Sequence, residues 1–185
     1  MDNQSLQAVR DVMKAAHFAA ARHSGQRRKG AAAEPYINHL LEVAELVSSA
    51  LAEPDTNLVV AALLHDTVED VGVTKEELGE IFGQDVANLV LEVTDDKSLP
   101  KQERKRLQIV NASKKSVRAQ IIKLADKISN LRAVLASPPT DWSVQRRREY
   151  FDWAKLVVDA LSAPNPSLKA EFERLYGRVE SLGSR

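Results

Sequence analysis

The stretch Ala61-Ala-Leu-Leu-His-Asp-Thr-Val-Glu-Asp70 is the most informative part of the sequence, because an apolar helical run leads directly into four groups that can bind a metal or move protons. His65 and Glu69 are four residues apart, so they would lie one turn apart on one side of a helix. The same spacing separates Asp66 from Asp70. An adjacent His-Asp pair suits cation binding, and carboxylates one turn further on can take a proton from water. The stretch predicts a metal-dependent active site; the alternative is a common dipeptide followed by a solvated helix end.

The composition is that of a globular helical protein. The chain has 185 residues, of which 44% are apolar, 28% are charged and few are aromatic. A chain of this length can bury a hydrophobic core without disulfides or other cross-links, so we expect residues 1–185 to form a single domain. Because the chain has no cysteine, disulfides, zinc-thiolate sites and a cysteine nucleophile are excluded. Metal chemistry must therefore use histidine and carboxylate.

Charge and hydropathy exclude two classes of partner. Lysine and arginine together number 26, as do aspartate and glutamate, so the chain lacks the basic balance of a nucleic-acid-binding protein. The first residues lack the order of a signal peptide, and no stretch approaches the roughly 18 apolar residues of a membrane span. We expect a cytoplasmic protein with no nucleic-acid or membrane partner.

Hydrophobic periodicity predicts an all-α fold, a helical bundle. Apolar residues recur at spacings of three and four, and no sustained alternation of the β type occurs. Breakers and caps divide the chain into predicted helices at 6–23, 36–51, 54–72, 74–83, 84–93, 117–136 and 142–161, with a last helix capped by Asn165-Pro166. The charged run 101–115 is more typical of a solvated helix face than of a binding patch.

The chain has four histidines, of which His39 is the best candidate for a second imidazole ligand beside His65. It lies at the start of an otherwise apolar helix, where a histidine hydrogen-bonded at a helix N-terminus is the alternative. His17 and His23 lie on the predicted first helix, and we expect them to be surface or structural residues.

Asp126 is the natural fourth ligand. It lies within the apolar stripe of the predicted helix 117–136, where a charged side chain is costly unless it is paired or bound to a metal. The alternative to a metal is an ion pair with Lys123 or Lys127.

His39, His65-Asp66 and Asp126 together resemble the ligand set of the HD superfamily of metal phosphohydrolases. More narrowly, residues from about 15 to 177 resemble the hydrolase domain of RelA/SpoT proteins, and within it the stand-alone type found in metazoans and among small bacterial alarmone hydrolases. The ordered motifs that carry this resemblance are Gln26-Arg-Arg-Lys29, Pro35-Tyr-Ile-Asn-His39, 62–70, Phe82-Gly83, Val93-Thr94, 122–132, 95–107, 142–146 and 149–153.

The resemblance implies a single HD phosphohydrolase domain that removes the 3′-pyrophosphate from (p)ppGpp, releasing GDP or GTP. It further implies one Mn²⁺ per chain, with the four ligands His39, His65, Asp66 and Asp126. Two imidazoles and two carboxylates suit such an octahedral ion, although these ligands do not exclude Fe, Co, Ni or Zn. By the same resemblance, Glu69 and Asp70 orient and deprotonate the attacking water.

The resemblance also implies how a guanosine nucleotide would be bound. Arg28 and Lys29 match the base-binding loop, where a guanidinium can stack on a purine and an ammonium can meet phosphate. Asn130 matches a sugar-contacting residue. Arg146 and Tyr150 match nucleotide-contacting positions of the stand-alone type.

Of three departures from the family pattern, the first two concern nucleotide preference more than catalysis, since neither removes a ligand, and the third concerns the geometry of the loop before Pro35. Leu40 replaces the proline that commonly follows the first metal histidine, Ser129 replaces an aromatic residue or histidine, and the usual glycine before Pro35 is missing. Since no synthetase module follows, we expect no synthetic activity.

Two other functions remain open at this point. One is an HD phosphatase of another nucleotide such as NADPH, and the other is a non-catalytic alarmone-binding or partner-binding module. The intact Glu69-Asp70 pair speaks against a pure binder, which needs no water-activating groups.

Overall fold

A computed structural model of the chain describes residues 2–183 and confirms the all-α class. Within this range the secondary structure consists of ten α-helices and two short 3₁₀ helices, without a β-strand. The α-helices are α1 Asn3–Arg22, α2 Ile37–Ala50, α3 Thr56–Leu64, α4 Thr67–Val71, α5 Lys75–Phe82, α6 Gln84–Val93, α7 Lys101–Asn111, α8 Val117–Ala136, α9 Val144–Asp159 and α10 Pro166–Tyr176. The 3₁₀ helices are Ala112–Lys114 and Val179–Gly183.

Side-chain caps set where most of these helices begin. Six cap residues accept a hydrogen bond from a backbone N–H of the first turn, which otherwise has no partner: Asp2, Asp55, Thr74, Ser116, Ser143 and Asn165. The predicted cap at Asn165-Pro166 is confirmed, since the Asn165 side chain accepts from the N–H groups of Ser167 and Leu168. The predicted bounds of α6 and α8 are also confirmed.

The prediction of one continuous helix through the His-Asp pair is wrong. Helix α3 ends at Leu64, and α4 begins only at Thr67. Two side chains bond to carbonyls of the last turn of α3: the Thr67 hydroxyl donates to the Leu64 carbonyl at 2.6 Å, and His65 Nδ1 contacts the Ala62 carbonyl at 2.8 Å. Such local side-chain bonds compete with the helix ladder, and here they accompany a turn at His65-Asp66.

The first of two compact units comprises the residues up to Gln26 together with Pro35–Asp96. It contains α1 to α6, and α3 packs against α1, α2 and α6. Helix α3 lies at the centre, and its residues from Val60 to Leu64 are all at most 2% exposed. The apolar run of the opening motif is thus the core of this unit, and its last residue leads directly into His65.

The second unit comprises Arg27–Glu34 and the chain from Lys97 onward. Helix α8 packs against α9 and α10, and its predicted apolar stripe is buried at Ile121, Leu124, Ile128 and Leu131. Leu135, near the end of the same helix, also follows the apolar spacing but is only partly buried. In the described part of the chain, no helix combines the length and apolarity that a membrane span requires.

Leu78→Ala should destabilise the protein by about 2 to 5 kcal/mol, because Leu78 is fully buried in α5 and truncation leaves a cavity. Leu41→Ala is the matched control: Leu41 is 46% exposed on α2, so its loss should change the free energy of unfolding by no more than about 0.5 kcal/mol. Urea unfolding of both variants measures the difference. Equal losses would contradict the assignment of α5 to the core.

Candidate functional site

His39 and His65 flank the carboxylate of Asp66 in the first unit. His39 lies in the first turn of α2, His65 follows α3, and their side chains are almost completely buried. The two Nε2 atoms lie 3.6 and 3.2 Å from the same Asp66 oxygen, Oδ2, and the two ring centroids are 5.2 Å apart. Three potential ligand groups therefore converge at one buried point.

Neighbouring groups orient this cluster. His65 Nδ1 lies 2.8 Å from the Ala62 carbonyl, which can only accept, so Nδ1 carries a hydrogen and Nε2 faces Asp66. The Tyr36 hydroxyl donates to Asp66 Oδ2 at 2.6 Å. Burial raises the pKa of Asp66, but the interactions with His65 and His39 lower it more, so that this pKa lies well below its usual value. Asp66 is therefore an ionised carboxylate able to bind a cation.

Glu69 and Asp70 follow this cluster by one turn, on α4. The Asp70 N–H donates to the Asp66 carbonyl at 2.8 Å, which ties the start of α4 to the turn. Glu69 Oε2 accepts a hydrogen bond from the Asp95 N–H at 3.2 Å, and Asp70 Oδ2 accepts one from the Gln26 amide at 2.7 Å. Both carboxylates are half-buried and held by neutral donors, an arrangement that suits groups that exchange protons with water.

In the second unit, Asp126 is held from both sides. Its Oδ1 accepts from the Asn130 amide at 2.6 Å and its Oδ2 from Lys127 Nζ at 2.9 Å. The ion-pair alternative is therefore realised with Lys127, although such a pair leaves carboxylate lone pairs that could also meet a cation. Arg28 Nη2 donates to the Asn130 side-chain oxygen at 3.3 Å, so Arg28, Asn130 and Asp126 form one hydrogen-bonded series.

The loop that carries Arg28 and Lys29 is fixed to the segment after α8. The Ala32 N–H donates to Ser137 Oγ at 2.9 Å, and the Ala31 N–H donates to the Pro138 carbonyl at 3.3 Å. At Gly30 the chains approach so closely that a Cβ would lie 2.2 Å from the Ser137 carbonyl oxygen. Only glycine fits this approach without a backbone shift.

The missing glycine before Pro35 has a structural cost. Ala33 adopts a left-handed conformation with φ of 45°, which disfavours a residue with a Cβ by about 1 to 2 kcal/mol. A hydrogen bond from the Arg28 N–H to the Glu34 carbonyl, 2.9 Å long, closes the loop around this residue. The loop is thus held in one conformation despite the departure from the family pattern.

Arg146 and Tyr150 share an aromatic neighbour. The Arg146 guanidinium lies 4.8 Å from the ring centroid of Trp142, and the Trp142 and Tyr150 ring centroids are 5.4 Å apart. Trp153 extends the series, with its ring centroid 5.4 Å from that of Tyr150. Burial raises the pKa of Tyr150 to about 12, so its phenol stays protonated near neutral pH and can donate a hydrogen bond. Such surfaces suit a planar base or a phosphate chain.

Two lysines of α7 add positive charge near these residues. Burial lowers the pKa of Lys101, and the charges of Arg146 and Lys29 lower it further. Lys105 Nζ lies 4.6 Å from the Trp153 ring centroid, and burial followed by the charge of Lys101 lowers the pKa of Lys105. Helix α7 buries no residue, as a solvated face would predict, but its first turns also contribute cations to this cluster. Sequence analysis did not assign these two lysines to a site.

Sequence analysis also missed His23, Gln26 and Tyr36 as individual site residues. Of the two histidines expected to be surface or structural residues, His17 is exposed, whereas His23 is only 2% exposed. His23 Nδ1 lies 2.6 Å from Gln26 Oε1, and its ring stacks on Tyr36. The spacing of three residues between His23 and Gln26, immediately before the quoted loop motif, was the available signal.

Two histidines and one aspartate of the described residues could each offer a ligand atom to a metal ion. They are His39 and His65 in the first unit and Asp126 in the second. Imidazole and carboxylate together suit a hard-to-borderline divalent ion.

The chain is similar in sequence to proteins of one family, the HD domain family. The HD domain family matches residues 15–156. The chain is 48% identical over 164 residues to the Drosophila melanogaster guanosine-3′,5′-bis(diphosphate) 3′-pyrophosphohydrolase MESH1, which covers 89% of this chain and 92% of that protein. The Homo sapiens protein of the same name is 46% identical over 165 residues, with the same coverage.

A solved structure extends the similarity to three dimensions. It is described as a metazoan ortholog of SpoT that hydrolyses ppGpp and plays a role in starvation responses. The TM-score is 0.87 at 47% identity, and the match covers 91% of this chain and 94% of that one.

Gly30→Ala should lower the free energy of unfolding by about 1 to 3 kcal/mol, because the new methyl group would push against the Ser137 carbonyl. Gly25→Ala is the control, since a Cβ there has no neighbour within 4 Å. Thermal and urea unfolding compare the two variants. A Gly30→Ala protein as stable as Gly25→Ala would show that the loop does not make this close approach.

Proposed function

The chain belongs to the HD domain family, and we propose that it is a metal-dependent (p)ppGpp 3′-pyrophosphohydrolase that releases pyrophosphate and GDP or GTP. The observation that carries this proposal is the buried His39-Asp66-His65 cluster, followed one turn later by two half-buried carboxylates. Relatives named as guanosine-3′,5′-bis(diphosphate) 3′-pyrophosphohydrolases match over almost their whole length, which supports the same activity here. The protein is accordingly an enzyme of the phosphoric ester hydrolase class.

We propose His39, His65, Asp66 and Asp126 as the ligands of one divalent ion, Mn²⁺, per chain. The orientation of His65 supports this, because its Nδ1 faces the Ala62 carbonyl and its Nε2 therefore faces the proposed ligand Asp66. The low pKa of Asp66 supports it as well, because a ligand carboxylate must be ionised. When bound, such an ion neutralises charge on phosphate oxygens and lowers the pKa of water.

Glu69 and Asp70 are the proposed water-handling residues. Each has one carboxylate oxygen positioned by an N–H donor, the Asp95 backbone for Glu69 and the Gln26 amide for Asp70, and a carboxylate positioned in this way can orient an attacking water and accept its proton. The water attacks the phosphorus bonded to O3′ of the nucleotide, the P–O3′ bond breaks, and the 3′-oxygen leaves and takes up a proton, so that the products are the nucleotide 3′-hydroxyl and pyrophosphate. Neither residue needs to bind the metal in this scheme.

In this proposal, residues of the second unit bind the substrate. We assign the base to Arg28, the sugar to Asn130 and the phosphate chain to Lys29, Arg146 and Tyr150. The hydrogen bond from Arg28 to Asn130 supports their action on one nucleotide. The cations of α7, Lys101 above all, add to the positive charge that a polyphosphate requires.

The proposal extends to the chain as a whole. We propose that residues 1–185 act as one HD phosphohydrolase domain, since the family match runs through parts of both units. The partner is a small nucleotide, with no role for nucleic acid or membrane. A cytoplasmic location fits an enzyme that acts on intracellular nucleotides.

Glu69→Gln and Asp70→Asn should each reduce turnover by about 10² to 10⁴-fold, because each change removes a proton-accepting carboxylate while keeping its shape. The metal content should stay at the wild-type level in both variants. His65→Ala is the comparison that should lose metal and activity together. Metal analysis of the purified proteins alongside steady-state kinetics measures both quantities. Loss of metal in the Glu69 and Asp70 variants would make these residues ligands instead.

Metal-loaded protein should convert ppGpp into GDP and intact pyrophosphate in equal amounts. Attack at the phosphorus bonded to O3′ has this outcome, whereas attack at a terminal phosphorus, or on the 2′-phosphate of NADPH, yields orthophosphate. Separate incubations with ppGpp, pppGpp, ppApp and NADPH, with the phosphate species identified by ³¹P NMR, distinguish these reactions. Orthophosphate alone would favour the phosphatase alternative, and binding of ppGpp without turnover would favour a binding module.

A further inference from the structure

His23, Gln26 and Asp70 form a hydrogen-bonded series that leads from the end of α1 to the proposed water-handling carboxylate. His23 Nδ1 and Gln26 Oε1 are 2.6 Å apart, and Gln26 Nε2 donates to Asp70 Oδ2 over 2.7 Å. Gln26 and Asp70 are 44 positions apart in sequence, so this contact exists only in the folded chain. All three residues belong to the first unit.

The direction of each hydrogen bond follows from the groups involved. An ionised Asp70 can only accept, so the Gln26 amide nitrogen must face it, and the Gln26 oxygen must face His23. An amide oxygen also only accepts, so His23 Nδ1 must carry the hydrogen. In a neutral ring this leaves Nε2 as the unprotonated nitrogen, and Nε2 is buried without a hydrogen-bond partner among residues 2–183. Such a nitrogen costs less to bury as a lone pair than as an N–H group.

His23 also contacts the other half of the site through its ring. Its ring stacks on Tyr36, with centroids 5.2 Å apart and planes within 16° of parallel. The Tyr36 hydroxyl in turn donates to Asp66 at 2.6 Å. One buried side chain therefore supports both Asp70, through a hydrogen-bonded amide, and Asp66, through a stacked phenol.

We propose that His23 is a positioning residue for the hydrolysis proposed above, holding the Gln26 amide in the one orientation that directs its N–H at Asp70. If Gln26 could rotate by half a turn, it would present its oxygen to the Asp70 carboxylate and repel it. The His23 N–H removes that freedom, because only the correct orientation of the amide makes both hydrogen bonds. The Asp70 carboxylate is then held in one orientation by the Gln26 amide.

Three variants separate this role from simple packing. His23→Phe keeps an aromatic ring against Tyr36 but removes the N–H donor, and loss of such a supporting hydrogen bond typically costs about 10- to 100-fold. His23→Asn loses the ring but can place an amide N–H where Nδ1 lies. His17→Phe makes the same chemical change at an exposed position of α1.

We expect His23→Phe to lower kcat by about 10- to 100-fold with KM within about threefold of wild type and unchanged metal content. His23→Asn should recover most of that kcat, and His17→Phe should match wild type. Gln26→Met should reproduce the kinetic effect of His23→Phe. If His23→Phe retains full kcat, or if His23→Asn is as impaired as His23→Phe while both remain folded, the positioning role is refuted.

A measurement without substrate tests the same proposal independently of the nucleotide that is hydrolysed. ¹⁵N NMR of histidine-labelled, Mg²⁺-loaded protein should show His23 protonated on Nδ1, with its signals assigned by their loss in His23→Asn. Protonation on Nε2 would refute the hydrogen-bond series. If the wild-type protein hydrolyses NADPH and not ppGpp, the proposed function fails, and the same kinetic comparison is made with NADPH to decide the role of His23.

Discussion

A buried carboxylate placed between two imidazoles is the constraint on which the site depends. Asp66 could not remain ionised in a protein interior without compensation, because desolvation of a charge is expensive. His65 and His39 provide that compensation and lower the pKa of Asp66 despite its burial. The Tyr36 hydroxyl donates a further hydrogen bond to the same carboxylate. The same groups form a cluster that is ready to coordinate a cation.

The turn at His65-Asp66 converts this electrostatic requirement into geometry. On one continuous helix, the side chains of His65 and Asp66 would project about 100° apart, which does not favour contact of both with one ion. The break between α3 and α4 instead brings both His65 Nε2 and His39 Nε2 to the same Asp66 oxygen. It also starts a new short helix whose first turn carries Glu69 and Asp70. A local interruption of the helix thus separates the proposed metal ligands from the proposed water-handling residues.

The second unit also contains a carboxylate in an apolar environment, and there a lysine and an asparagine compensate its charge. Asp126 lies within an apolar helix face, and Lys127 and Asn130 of the same helix satisfy its two oxygens. Since Asn130 also accepts from Arg28, the loop 27–34 is tied to the residues around this carboxylate. Hydrogen bonds therefore connect a proposed metal ligand, Asp126, with the proposed substrate-binding residues Asn130 and Arg28.

The sequence alone determined the helical class, several helix ends and the chemical type of the site, because these depend on local patterns. Hydrophobic periodicity predicted α8, an asparagine-proline pair predicted the start of α10, and the run 61–70 predicted a metal-dependent site of histidine and carboxylate. The turn within that run was missed, because it arises from side-chain bonds to carbonyls that compete with a strong helical pattern.

Only the tertiary structure decided which distant groups meet. The sequence left His23 as either a surface or a structural residue, and the fold buries it against Tyr36 and bonds it to Gln26, which reaches Asp70 on another helix. Lys105 looked like part of a solvated face, yet it lies over the ring of Trp153 from α9. Periodicity reports which face of a helix is apolar, but contacts between residues far apart in sequence depend on how the helices pack.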